Sequence, residues 1–183
     1  PKSVPVVPMR NMVIYPGQSL PIVIGRQRSR LALEAALRDG SEWLLLVAQK
    51  HELGEVEPGT EDLFKTGILA RVDRHEGTPD KAYQVLITGV HRYAVEHYED
   101  RDGYLSAVGD TLEDVVDVDP ETLQSLVLSL KKLAKEIFAL VPANTEQLAQ
   151  LVQSLEDPVL LTHLIAQNLD VKLNKKQELL ETR

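Results

Sequence analysis

Pro5-Val6-Val7-Pro8-Met9-Arg10-Asn11-Met12-Val13-Ile14-Tyr15-Pro16-Gly17-Gln18-Ser19-Leu20-Pro21 holds four prolines and both methionines of the 183-residue chain. Val6, Val7, Val13, Ile14 and Tyr15 suit a half-buried strand. Proline has no N–H to give to a strand ladder, so it is confined to edges, strand starts and bulges. A flexible leader would not carry so many β-branched residues. The segment therefore predicts strand structure repeatedly interrupted.

Outward from this stretch, short apolar runs separated by Gly, Pro, Asp and His continue to about Asp110. They predict strands at Val4–Pro8, Leu20–Ile24, Trp43–Gln49, Gly67–Asp73, Tyr83–Val95 and Tyr104–Thr111, the fifth with a bulge near Gly89. Ile68, Ala70 and Val72 alternate with Leu69, Arg71 and Asp73, the period of a strand with one buried face. One helix interrupts them, over Arg30–Arg38, with Asp39-Gly40 as its stop.

The pattern changes after Glu113. An acidic connector ends at Asp119-Pro120, a helix cap followed by proline at the first helical position. Leu123, Leu126, Val127, Leu130, Leu133, Ala134, Ile137, Phe138 and Val141 then recur at helical spacing. Asn144 or Thr145 caps a second helix carrying Leu148, Leu151, Val152 and Leu155. Asp157-Pro158 repeats the device before Leu160, Leu161, Leu164 and Ile165. A last helix opens at Asn174 and has no stop signal before the final residue, so the sequence predicts a break inside it. The expected organisation is α+β: a twisted β-barrel lobe with one helix at 1–113, a linker at 114–120, and an all-helical lobe of about four helices at 121–183.

Composition narrows the function. A net charge of −8 and a pI near 5.1 disfavour nucleic acid and acidic membrane surfaces as main partners. The absence of cysteine removes disulfides, thiolate metal sites and cysteine nucleophiles. The longest apolar run, Trp43 to Ala48, is far too short to span a bilayer, and no basic leader precedes an apolar stretch. No phosphate-binding glycine loop is present, and Gly77-Thr78-Pro79-Asp80 has the composition of a hairpin turn. His51, His75, His91, His97 and His163 show no metal-ligand spacing. Ser129 with Lys131 and Lys132 reads as a solvated helix face rather than a nucleophile and its base. Arg26, Arg28 and Arg30 form the basic cluster, a plain surface or a contact for a polar or anionic partner. No catalytic constellation and no metal site is predicted.

The opening segment, with Leu20-Pro21-Ile22-Val23-Ile24-Gly25-Arg26 after it, resembles the start of the N-terminal domain of the ATP-dependent Lon protease family. The resemblance continues through Leu44–Lys50, Asp62–Val72, Val85–Arg92 and Asn174–Glu181. It implies a PUA-like β-barrel lobe and a helical lobe. These would form a non-catalytic domain that recognises unfolded or degron-bearing protein substrates and supports a hexamer. It also implies an ATPase and a Ser–Lys protease module elsewhere in the parent protein, which would use ATP and magnesium; this chain itself needs no cofactor. Bacterial cytoplasm is the implied compartment, with the mitochondrial matrix as alternative, and no membrane or nucleic-acid partner is implied. The chain departs from the family at Thr78-Pro79-Asp80-Lys81, where the hairpin commonly reads apolar-Pro-Asp-Gly, and at Met9, where leucine is usual.

On this reading the prolines stop an edge segment from pairing onward and expose an apolar ledge, and flexible methionines suit a surface that accepts many sequences. Met9, Met12, Tyr15 and Pro21 are the candidate substrate-binding residues, with Arg26, Arg28 and Arg30 as polar partner contacts. Two other classes stand beside it: a free-standing adaptor, and a PUA-like RNA-binding module using the arginines.

Overall fold

Short apolar runs and apolar–polar alternation place six strands in the first half of the chain: β1 Val4–Met9, β2 Ser19–Ile24, β3 Trp43–Ala48, β4 Thr66–Glu76, β5 Tyr83–Arg101 and β6 Tyr104–Leu112. The computed structural model describes residues 3–54, 56–113, 119–139, 159–163 and 173–181. The strand order is β2-β5-β4-β3-β1-β6, and β5 also pairs with β6. That extra pairing closes β1, β3, β4, β5 and β6 into a ring and leaves β2 as an added strand held on one side by β5. Only β1 and β3 run parallel; the other pairings are antiparallel.

Closure of a small ring requires strong local bending, which bulges supply. The long strand β5 has two. His91 and Gly89 oppose Leu69 and Ala70, so Val90 is extra, and Val95 and His97 oppose Gly109 and Val108, so Glu96 is extra. The first is the bulge expected near Gly89. Inside the ring, Val6, Leu45, Val47, Leu63, Tyr93, Val95, Leu105 and Ala107 form one buried cluster. Helix α1, Gln27–Arg38, packs on β1, β3 and β6, with Ala32, Leu33, Ala35 and Ala36 buried. Strand β5 extends six residues beyond the expected end at Val95. It turns into β6 through Asp102 (φ 46°) and Gly103 (φ 85°), the two left-handed residues of a tight two-residue hairpin.

The prolines of β1 do not mark an edge strand. Val6–Met9 pair with β3, and Val4 and Pro5 pair with β6. Beyond Pro5 the β6 side of β1 has no partner strand among the described residues. Asn11 (φ 47°) then turns the chain, and Val13, Ile14 and Tyr15 are buried without belonging to any strand. Tyr15-Pro16-Gly17-Gln18 closes a turn in which the Gln18 N–H donates to the Tyr15 carbonyl at 3.2 Å. Proline at the second position and Gly17 at φ 82° give a type II turn, which sends the chain into β2.

The second half begins as expected. Helix α2 spans Pro120–Ala139, and the Asp119 carboxylate accepts the Thr122 N–H at 2.9 Å. Its buried stripe is narrower than the sequence pattern: Val127 and Ala134 are buried, Leu123 and Leu130 half-buried, and Leu126 and Leu133 exposed. Residues 159–163 are helical, with Leu161 and His163 buried. The expected helix over Leu148–Leu155, the caps at Asn144, Thr145 and Asp157, the residues Val141, Leu164 and Ile165, and the connector at 114–118 lie outside the described residues.

Helix α3, Leu173–Glu181, corrects the expected organisation. The chain divides into one unit of Pro1–Glu113 with Val171–Thr182 and a second of Asp114–Asp170. The last helix thus belongs with the β-rich unit, not with the helical lobe at 121–183. The reason is side-chain anchoring to backbone. Tyr15 Oη donates to the Lys176 carbonyl at 2.8 Å, Arg92 Nη1 to Leu180 O at 3.0 Å, and Gln177 Nε2 to Thr66 O at 2.9 Å.

Gly89 sits where residues 14–15 cross β5. A Cβ there would lie 2.6 Å from the Tyr15 carbonyl oxygen, whereas one at Gly25 meets nothing closer than 3.9 Å. Gly89→Ala should therefore destabilise by about 2 kcal/mol, the scale of overpacking a core. Gly25→Ala should stay within about 0.5 kcal/mol of the parent. Urea denaturation of the two variants measures this, and equal midpoints would contradict the crossing.

Candidate functional site

Strand β2 presents a bare edge. Leu20, Ile22 and Ile24 oppose Ile87, Val85 and Tyr83 of β5, and the Gly89 N–H donates to Gln18 O at 2.9 Å in the same register. Backbone direction alternates along an antiparallel strand, so Ser19, Pro21 and Val23 turn their backbone away from β5. Pro21 has no N–H to lose there, which is why the strand tolerates it. Their side chains are exposed, Val23 at 68%, while Ile22 and Ile24 are buried.

Between this edge and the end of β1 lies an open groove of about 560 Å³. Val7, Pro8, Met9 and Met12 line one side, and Pro21, Ile22, Val23 and Ile24 line the other. Arg10, Gly25, Arg26 and Ser29 complete it. Three of the four residues singled out in the sequence meet here: Met9 half-buried, Met12 37% exposed and Pro21 exposed. The sequence reading missed Val23 and Arg10. The exposed alternation Ser19, Pro21, Val23 against Leu20, Ile22, Ile24 was the signal for the first.

Tyr15 is not in the groove. It is 1% exposed, and its hydroxyl holds helix α3. Its place on an exposed ledge is corrected, because a phenol ring of this size found a core position with a backbone acceptor for its hydroxyl. Burial pushes its pKa up to about 12.

The three arginines separate. Arg28 pairs with Asp100 across to β5. Arg30 Nη1 donates to the Pro79 carbonyl at 2.6 Å, bracing the β4–β5 hairpin. Arg26 alone lines the groove, donating from Nη1 to Gln49 Oε1 at 2.8 Å. Desolvation lowers its pKa, the nearby Arg10 lowers it further, and Glu57 opposes the shift. Arg26 is also the N-cap of α1, with no side-chain cap and no acidic residue in the first turn, so this end of the groove is electropositive. No group of three or more His, Asp or Glu that could hold a metal occurs among the described residues. No helix among them is long and apolar enough to cross a membrane.

The described residues thus combine a closed ring of strands with a largely apolar groove beside the free edge of β2. Residues 3–183 match the family described as the ATP-dependent protease La (LON) substrate-binding domain. Over 178 residues, 97% of the chain, it is 35% identical to Lon protease 1 of Bdellovibrio bacteriovorus. It is 32% identical to the Lon protease of Escherichia coli K12 over 98% of the chain. It covers 22% of each of those relatives, about a fifth of their length. The solved N-terminal domain of the Mycobacterium avium complex Lon protease superposes with a TM-score of 0.77, covering 99% of this chain and 90% of that one, at 21% identity. The chain belongs to the LON substrate-binding domain family. The α+β class expected from the sequence agrees with that structural likeness.

Tyr15 gives a testable alkaline signature. Its folded pKa lies above the ordinary 10.0, so its contribution to stability is complete below about pH 10 and is lost as pH rises toward about 12. Tyr15→Phe should cost about 1 kcal/mol at neutral pH through the lost hydrogen bond. It should also flatten the loss of stability between pH 10 and 12. An identical pH profile for the variant in chemical denaturation would contradict the buried phenol.

Proposed function

We propose that this chain is the non-catalytic capture domain of an ATP-dependent protease, and that it binds extended, apolar segments of unfolded or degron-bearing proteins in the groove between β1 and β2. The observation that carries this reading is the groove itself: apolar walls from Met9, Met12, Pro21 and Val23 beside the bare edge of β2. An extended peptide can use such an edge for main-chain hydrogen bonds, with pockets accepting alternate side chains. Methionine is unbranched and polarizable, which lets one surface accept many sequences.

The ATPase and protease chemistry, with ATP and magnesium, belongs on this reading to modules outside the chain. A hexamer built through those modules would multiply a shallow site into useful avidity. Bacterial cytoplasm fits the bacterial sources of the relatives. A stand-alone adaptor gains no particular observation. The RNA reading loses support because Arg28 and Arg30 are engaged within the chain.

Met12→Asp combined with Val23→Asp places charge on exposed groove residues. The thermal melt followed by circular dichroism should stay within about 0.5 kcal/mol of the parent. Binding of a fluorescein-labelled, permanently unfolded protein should weaken about tenfold or more, the scale of losing two apolar contacts. Unchanged binding would sink the groove as the capture site.

A further inference from the structure

The groove is apolar along its walls but not at the end where Arg26 lies. The Nη1 of Arg26 reaches Gln49 Oε1, while its Nη2 is buried and has no hydrogen-bond partner. A buried, unmatched donor is uncommon in folded proteins and costly, more so when it carries charge. Arg10, lining the same groove, adds a second positive charge close enough to depress the Arg26 pKa. The Glu57 carboxylate acts on Arg26 in the opposite sense, yet Nη2 itself has no hydrogen-bond partner. Arg10 therefore stands near a desolvated Arg26 guanidinium that still has one unmatched donor, an arrangement suited to an anionic acceptor.

We propose that this end of the groove recognises a carboxylate side chain, so that the preferred ligand is an extended apolar segment carrying an aspartate or glutamate. This rests on the capture reading above and makes it more specific. Arg26 would donate through Nη2 to one carboxylate oxygen, keeping Nη1 on Gln49. Arg10 would supply long-range attraction. Nη2 lies beneath the groove surface, so the carboxylate must reach past side chains. Met9 and Met12 line that groove, and their flexible thioether chains can move aside. Hydrogen bonds to a charged partner are about twice as strong as neutral ones, and the guanidinium is already desolvated before the ligand arrives. An acidic residue that would weaken binding in a purely apolar groove therefore strengthens it here. The overall charge of −8 does not oppose this, because long-range repulsion is screened beyond about 8 Å at physiological salt while a direct hydrogen bond is not.

The test uses the 183-residue chain and three fluorescein-labelled peptides of equal length and identical apolar residues, read by fluorescence anisotropy. The first is blocked at both ends with a central glutamate. The second has glutamine in its place. The third has glutamine and a free C-terminal carboxylate. The glutamate peptide should bind about tenfold more tightly than the glutamine peptide, one charged hydrogen bond's worth. Arg26→Gln should remove that preference, so that the glutamate and glutamine peptides bind the variant equally, with circular dichroism confirming the fold; the parent's comparison stands without any variant. Equal binding of the first two peptides by the parent chain would overturn the inference and leave the capture reading intact. Preference for the third peptide alone would also overturn it, assigning the site to chain ends. Failure of all three to bind would strike the capture reading itself.

Discussion

The fold of the β-rich unit depends on one crossing, where the backbone of Ile14 and Tyr15 passes over Gly89 of β5. The Gly17 N–H donates to Gly89 O at 2.8 Å and the Gly89 N–H to Gln18 O at 2.9 Å, so both polar groups of the glycine are committed to the crossing segment. Any side chain at Gly89 would meet the Tyr15 carbonyl. Because the crossing fixes where the type II turn begins, it sets the register of β2 on β5, and so which residues of β2 face outward. Through the Tyr15 ring it also sets where α3 rests. The groove on one side and the helix on the other are consequences of one close backbone approach.

Much of this was legible in the sequence, and the reasons are local. Strands β3, β4 and β6 carry clean apolar runs or alternation, and the Asp119-Pro120 pair fixes its helix start through a cap that needs no tertiary help. The bulge at Gly89 was readable because glycine inside a strand pattern costs stability unless geometry requires it. The end of β5 was not read, because Glu96, His97, Glu99 and Asp100 are poor strand formers held there by pairing with β6. The dipeptide Asp102-Gly103, a strong hairpin signal, marked the true end.

The site was partly legible for a similar reason. Met9, Met12 and Pro21 stand out by composition, whereas Tyr15 stands out equally and does something else. Its partner is a carbonyl 161 residues away, and no local pattern carries such a contact. The arginines show the converse error. Arg26, Arg28 and Arg30 look like one patch in the sequence. Yet the first precedes the helix, and residues two apart on a helix face different directions. Each found a separate acceptor, and only the first remained at the groove.

The β-rich unit is discontinuous: the chain leaves it at Glu113 and re-enters at Val171. During synthesis the ring of strands is complete long before the segment that seals it has been made. Tyr15, Thr66 and Arg92 must therefore wait for their contacts with α3 until residues 114–170 have followed, and the unit reaches its final stability only once residues 173–181 have been made. The entropy of closing a loop rises slowly with its length, about 0.6 kcal/mol for each doubling. The excursion between the two segments can thus lengthen or shorten over evolution at little thermodynamic cost, provided both anchor points survive. The helical unit is, in this sense, cargo carried in a loop of the barrel.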